Sequence, residues 1–96
     1  AWHAETWVNL NPSSGLRFST HKTHTGALVT SVSRMRLNDG VMSFFMFDDF
    51  HKIIKVSRVR VTQNAVKEQH EAALAELDAI KIACEEFYAA KKVEAA

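Results

Sequence analysis

The sequence predicts an α+β domain in which an antiparallel sheet of four to five strands, arranged as a meander, precedes one long C-terminal helix packed on one sheet face. Residues 1–62 alternate short β-prone runs with turn-forming residues. From about Gln63 the apolar residues change to helical spacing. The chain has 96 residues, the size of a single domain, so we expect one domain with a sheet over 1–62 and a helix over 63–93.

The first three strands are separated by turn signals. Residues 5–10 are predicted as a strand, and residues 11–15 as a loop because they are dense in turn formers. Residues 16–20 and 27–37 are predicted as the second and third strands, joined by a turn at 21–26.

A hairpin is predicted at Asp39–Gly40, since this dipeptide between apolar runs suits a type I′ turn. Residues 41–47 would then form the next strand, and Asp48–Asp49 a second short turn. Residues 50–62 form an unusually long final strand, in which we expect a bulge or a bend.

The helix is predicted from a heptad seam, with Thr62 or Asn64 as its N-cap. The seam residues are Val66, His70, Ala73, Leu77, Ile80, Cys84 and Phe87. One uninterrupted helix over 64–92 would be about 43 Å long at 1.5 Å per residue, longer than the sheet beneath it.

A helix that overhangs its sheet needs another cover, and a second copy of the chain is the simplest one. The predicted dimer interface comprises Leu74, Leu77, Ile80, Phe87 and Tyr88. Alternatively, the helix breaks or bends, or Trp2 and Trp7 fold across it.

Two segments repeat a pattern of two arginines one residue apart, Arg34 and Arg36 in the third strand and Arg58 and Arg60 in the last. Alternate residues of a strand share a face, so each pair points to one side of the sheet. If both pairs share that side, four guanidinium groups lie on one surface, which favours an anionic partner.

Register decides which apolar residues share the arginine face. A two-residue loop at Asp39–Gly40 places Phe45, Phe47 and Lys52 there and leaves the opposite face, with Met35, for the helix. A three-residue loop shifts the register by one and moves Met42, Phe44 and Met46 to the arginines instead. Either register makes one face both basic and aromatic.

These features predict a non-catalytic single-stranded nucleic-acid-binding protein, with bases stacked on rings and phosphates bound by cations. The candidate residues are Arg34, Arg36, Phe45, Phe47, Lys52, Arg58 and Arg60. The basic face could instead be merely solvated or contact an acidic protein, and Phe45 and Phe47 could form a second small core. The alternative function is a small interaction or inhibitor protein acting as a homodimer on a partner protein.

Charge and element order support the nucleic-acid interpretation. Residues 1–62 carry eight Lys and Arg against four Asp and Glu, while residues 63–96 carry four against seven. Four or so antiparallel strands followed by a long helix, with a basic sheet, resemble the PC4-like and Whirly-type single-stranded DNA-binding domains. That resemblance implies a helix-mediated dimer and assigns no individual residue.

No motif in the sequence indicates an enzyme, a cofactor or a metal site. Cys84, the single cysteine, lies on the apolar seam and is expected to be a buried, inert thiol. His21 and His24 lie close together without an evident third metal ligand. With no apolar run of membrane-spanning length and no signal-peptide pattern, the expected location is cytoplasmic.

Overall fold

We describe the protein from a computed structural model that covers residues 2–37 and 47–95. For Phe47, Asp48 and Ala95 the backbone alone is described. The elements are β1 (His3–Asn11), β2 (Ser14–Lys22), β3 (Leu28–Arg36), β4 (Phe47–Ser57), α1 (Gln63–Leu74) and α2 (Leu77–Ala95). The structure confirms the α+β class and an antiparallel sheet that precedes the C-terminal helical region in the chain.

The described strands pair in sequence order, each antiparallel to the next. The β1–β2 turn is stabilised by Asn11, whose Oδ1 accepts bonds from the N–H and the hydroxyl of Ser13, at 2.8 and 2.9 Å. A Cβ at Gly15 would lie 2.9 Å from the carbonyl oxygen of Val8. Glycine at this position therefore lets the two strands approach closely.

One face of the sheet lies beneath the helices, and we call it the helix-side face. Its central row crosses all four strands through Thr6, Phe18, Val32 and Lys52, which are direct cross-strand neighbours. Phe18 and Val32 expose no surface. The core cluster joins this face to both helices, and its buried members are Leu16, Phe18, Val32, Phe50, Ala73, Ile80 and Cys84.

The predicted alternation of side chains in β3 is correct, but the helices contact the face opposite to the one we expected. Arg34 faces Leu16 and lies on the helix-side face with Val32, whereas Met35 points to the other side. The reason lies in β2, where Leu16 and Phe18 both point to the helix side. Covering them removes two fully buried apolar side chains from water.

In β4, Lys52 pairs with Val32 and so lies on the arginine face, as predicted. Phe47 pairs with Met35 because the register shifts between Ser33 and Met35, so its predicted place on the arginine face is wrong.

The last strand differs from its predicted bounds. Asp48 and Asp49 lie inside β4 rather than in a turn, and β4 ends at Ser57 rather than at Thr62. The expected bulge is present as a register shift between the Thr30–Lys55 pair and the next pair along. The predicted hairpin at Asp39–Gly40 and the predicted strand over 41–46 lie outside the described residues, so a fifth strand is not confirmed.

The predicted single helix is divided into two by a turn at Ala75 and Glu76. The Glu76 N–H donates to the carbonyl oxygen of Ala73 at 3.1 Å, an i to i−3 bond that tightens the chain locally. No glycine or proline is needed for this bend. Ala73 of α1 and Ile80 of α2 both belong to the core cluster. Thr62 is the N-cap, because its hydroxyl accepts a bond from the Ala65 N–H at 3.1 Å.

The heptad seam is the sheet-facing side of both helices. Five of its residues are buried: Val66, His70, Ala73, Ile80 and Cys84. Of the predicted dimer residues, Ile80 is also in the core cluster, and Leu74, Leu77, Phe87 and Tyr88 pack against it. The dimer prediction assumed that these residues need an external cover, but their own sheet supplies one. Dimerisation itself stays a prediction.

Phe18→Ala is expected to lower the free energy of unfolding by about 3–5 kcal/mol, because it removes a fully buried ring from the central row. Urea denaturation followed by circular dichroism measures this change. Ile53→Ala is the control, since Ile53 is 56% exposed, and we expect a change within about 0.5 kcal/mol. Similar losses in both variants would contradict the assignment of the core to the helix-side face.

Candidate nucleic-acid interface

The four arginines of the repeated pattern do not share one surface. Arg34 and Arg36 lie at one end of β3, whereas Arg58 and Arg60 follow the end of β4 that pairs with Leu28. Leu28 and Arg34 are six positions apart in β3, a distance of about 20 Å at ~3.4 Å per position. The two pairs therefore form separate features at opposite ends of the sheet.

Arg34 is half-buried against an aromatic cluster of the helix-side face. Its guanidinium carbon lies 4.4 Å from the centre of the Tyr88 ring, a cation–π contact. The Tyr88 hydroxyl accepts a bond from the Phe50 N–H at 3.2 Å. Phe87 packs edge-on against both rings, with centroids 5.6 Å from Phe50 and 5.1 Å from Tyr88. This packing holds the Arg34 side chain between sheet and α2.

The remaining predicted site residues are scattered. Arg36 is exposed opposite Ser14, and Lys52 is exposed in the middle of β4. Phe45 lies outside the described residues, and only the backbone of Phe47 is described, opposite Met35. The structure thus divides the predicted set, with Arg34 and Arg36 at one end of β3 and Arg58 and Arg60 beyond the opposite end of the sheet.

Exposed cationic side chains gather at the opposite end of the sheet from Arg34, which we call the basic end. Its residues are His3, His21, Lys22, His24, Lys55, Arg58 and Arg60. Lys22 of β2 faces Leu28, which in turn faces Ser57 of β4. Two strand spacings place the backbones of Lys22 and Ser57 about 10 Å apart, and Arg58 follows directly.

Trp2 adds an aromatic ring to the basic end. The Lys22 N–H donates to the carbonyl oxygen of Trp2 at 3.3 Å, and 45% of the Trp2 surface is exposed. An exposed indole beside a lysine is a suitable platform for a base. From the sequence, Trp2 is expected only as a cover for the helix. No local pattern predicts that Trp2 lies next to Lys22, which follows it by twenty residues.

A compact turn holds the loop between β2 and β3 at this end. The Thr23 N–H donates to the Ala27 carbonyl oxygen at 2.8 Å, and the Gly26 N–H donates to the Thr23 carbonyl oxygen at 3.0 Å. Gly26 has a φ of 85°, a backbone conformation that residues with a side chain rarely adopt. The turn fixes the backbone on either side of His24.

The face away from the helices carries two polar pairs. The Arg17 Nε donates to the Glu5 carboxylate, and the guanidinium also lies 5.6 Å from the Trp7 ring centre. Ser33 and His51 share a hydrogen bond of 2.6 Å between Oγ and Nδ1. A serine bonded to a histidine can be a nucleophile. Ser33, however, is 3% exposed, so its hydroxyl joins β3 to β4 and is not open to a substrate.

A chain of hydrogen bonds fixes α1 to the strands beneath the basic end. It begins where Gln69 Nε2 donates to the Leu28 carbonyl oxygen at 3.2 Å and to Thr30 Oγ1 at 2.9 Å. Each further link measures 2.8 Å, and the chain passes through Thr30, Thr20, His70 and Thr6. It spans three strands and the helix.

One arrangement of hydrogens accounts for every bond in this chain. Gln69 Nε2 donates to both of its partners, Thr30 donates to Thr20, and Thr20 donates to Nδ1 of His70. The imidazole hydrogen then lies on Nε2 and is donated to Thr6. In this arrangement His70 is neutral.

The pKa of His70 is lowered below 6.5, chiefly because burial disfavours the charged imidazolium. The charge of His3 lowers the pKa further, while Glu71 acts in the opposite direction and is the smaller influence. Burial thus favours the neutral form, which the hydrogen-bond chain can also accommodate.

No family model, curated protein or solved structure matches this chain. Over residues 2–37 and 47–95, no group of three or more His, Cys, Asp or Glu side chains is placed to hold a metal ion. Neither described helix combines the length and the hydropathy that crossing a bilayer requires. The fold and site define a small α+β domain whose sheet has one basic, tryptophan-bearing end.

The stability of the protein is expected to fall as the pH decreases through 6.5. Above this value both states keep His70 neutral, whereas below it the unfolded chain binds the proton first and is favoured. Thermal unfolding over a pH series measures the effect, and His70→Gln should remove most of the slope near 6.5. An unchanged slope in His70→Gln would show that another group is responsible.

Proposed function

We propose that this protein binds single-stranded nucleic acid at its basic end, without catalysing a reaction. The observation that carries the proposal is the exposed Trp2 beside Lys22, on the same sheet end as Arg58 and Arg60. A stacking ring among cations that can follow a phosphate backbone is the combination that single-strand binding uses.

The cations of the basic end suit a polyanion. Lys22, Lys55, Arg58 and Arg60 contribute four positive charges. Phosphate neutralisation by such side chains releases counterions and drives binding. Seven of the eleven acidic residues follow residue 62, and of these Glu68 and Glu71 lie near Lys55 and His3.

The exposed indole favours a single strand over a duplex. Bases in a duplex already stack on one another, whereas an unpaired base can stack on Trp2 for about 1–3 kcal/mol. Of the residues that sequence analysis selected, Arg58 and Arg60 belong to the proposed site. Roles for Arg34, Arg36, Lys52, Phe45 and Phe47 stay predictions, and the proposed site does not need them.

Binding to an oligo-dT or oligo-rU probe is expected to quench Trp2 fluorescence and to weaken steeply with salt. Trp7→Phe makes Trp2 the only tryptophan and so the reporter. In that background, Arg58→Ala with Arg60→Ala should reduce the slope of log K against log salt by about 1.4, since each phosphate contact contributes ~0.7.

The matched control removes the same charge elsewhere, with Arg36→Ala and Lys81→Ala. It should leave the slope nearly unchanged, because Arg36 lies at the far end of the sheet and Lys81 lies on α2 beside Arg34 at that same end. An equal reduction in the control would show that binding responds only to net charge. Absence of saturable binding at low salt, or a preference for duplex over single strand, would overturn the proposal.

Trp2→Ala separates stacking from charge. We expect it to weaken oligonucleotide binding by about 1–3 kcal/mol with no change in the salt slope. Fluorescence anisotropy of a labelled oligonucleotide measures this, since the variant lacks the reporter indole. An unchanged affinity would remove Trp2 from the site.

A further inference from the structure

The outer side of α2 carries a second stripe of residues at heptad spacing, four of them apolar, on the side of the helix that the core does not use. Its residues, which we call the outer stripe, are Ala79, Ile82, Glu86, Ala89 and Val93. All five are exposed, Ile82 by 56% and Val93 by 77%. Isoleucine and valine on the solvent side of a helix leave apolar area in water, which association would remove.

The spacing of the outer stripe is 3, 4, 3, 4, the heptad repeat of a helix–helix seam. The other seam of the same helix faces its own sheet through Ile80 and Cys84. Ala79 and Ala89 are small enough to let a second helix approach closely. The stripe therefore has the shape and spacing for a helix partner rather than for a sheet.

We propose that two copies of this chain pair through the outer stripes of α2, with the helices antiparallel. A two-fold axis between residues 87 and 88 places Ile82 of each copy against Val93 of the other. The same register places Glu86 against Ala89. The contact between the two largest apolar residues of the stripe, Ile82 and Val93, thus occurs twice, as an isologous interface requires.

Charges beside the stripe favour this arrangement. Glu85 directly precedes Glu86, and Lys92 directly precedes Val93, so both lie on the same flank of the stripe. In an antiparallel pair of helices, this flank of one helix lies beside the same flank of the other. In the proposed register Glu85 meets Lys92 of the second copy, and the symmetry makes two such pairs. A parallel pair would instead place Glu86 against its own copy and Glu85 against Ala90. The complementarity therefore selects both a second copy as partner and the antiparallel orientation.

This interface uses none of the residues of the basic end, so it does not depend on nucleic-acid binding. It also differs from the dimer interface that sequence analysis predicted, whose residues pack against the core of their own chain. The contact is short and belongs to the class of weak, small interfaces.

Sedimentation velocity over the micromolar range tests the proposal on the full chain. We expect a reversible monomer–dimer equilibrium, and Ile82→Glu should raise the dissociation constant by roughly tenfold or more. Ile53→Glu is the matched control, because Ile53 is also an isoleucine with 56% exposure but lies on β4. Circular dichroism confirms that both variants are folded. A wild-type chain that stays monomeric, or a dimer lost in Ile53→Glu and kept in Ile82→Glu, would overturn the proposal.

A charge exchange tests the orientation. Glu85→Lys should weaken the dimer, because it turns two attractive pairs into two repulsive ones, and Lys92→Glu should do the same. Combining the two substitutions recreates both pairs with exchanged signs and should restore the wild-type dissociation constant. Failure of the double variant to recover would exclude the antiparallel register.

Discussion

The burial of Phe18 and Val32 beneath the two helices is the interaction on which the rest of this structure depends. Because Leu16 and Phe18 point the same way from β2, the helices must cover that side of the sheet to remove the apolar area from water. The choice of face then places Arg34 under α2. It also turns the heptad seam towards the sheet, and this in turn leaves the other side of α2 exposed.

Covering this face buries polar groups as well, and the molecule satisfies them with one continuous network. Buried hydroxyls and an imidazole beneath α1 would each cost free energy if they lacked partners. The chain from Gln69 through His70 to Thr6 supplies those partners, and burial lowers the pKa of His70 and favours the neutral imidazole. Because Gln69 also bonds the backbone of Leu28, the network fixes α1 to the strands that carry the basic end. The stability of that surface and the protonation state of His70 are therefore linked.

The charged surface and the apolar surface occupy different parts of the molecule. Cations collect where the strands begin and end, since side chains there can stay in water while the middle of the sheet is buried. The outer stripe lies on the opposite layer, on a helix whose inner side is already used. A dimer through α2 would carry two basic ends, so a longer single strand could contact both, which raises avidity by effective concentration. The two surfaces can act together without sharing a residue.

The sequence by itself determined the α+β class, the side-chain alternation in β3 and the seam that the helices bury, and it limited the N-cap to Thr62 or Asn64. These features depend on local periodicity and on the residues next to each other in the chain. Tertiary structure alone decided which face the helices cover, because that choice compares the apolar area of all strands at once. It also decided the bend at Ala75, which the seam pattern crosses without a break, and the pairing of Trp2 with Lys22. The two arginine pairs look alike in sequence, but β4 ends at Ser57, so only one pair belongs to a strand.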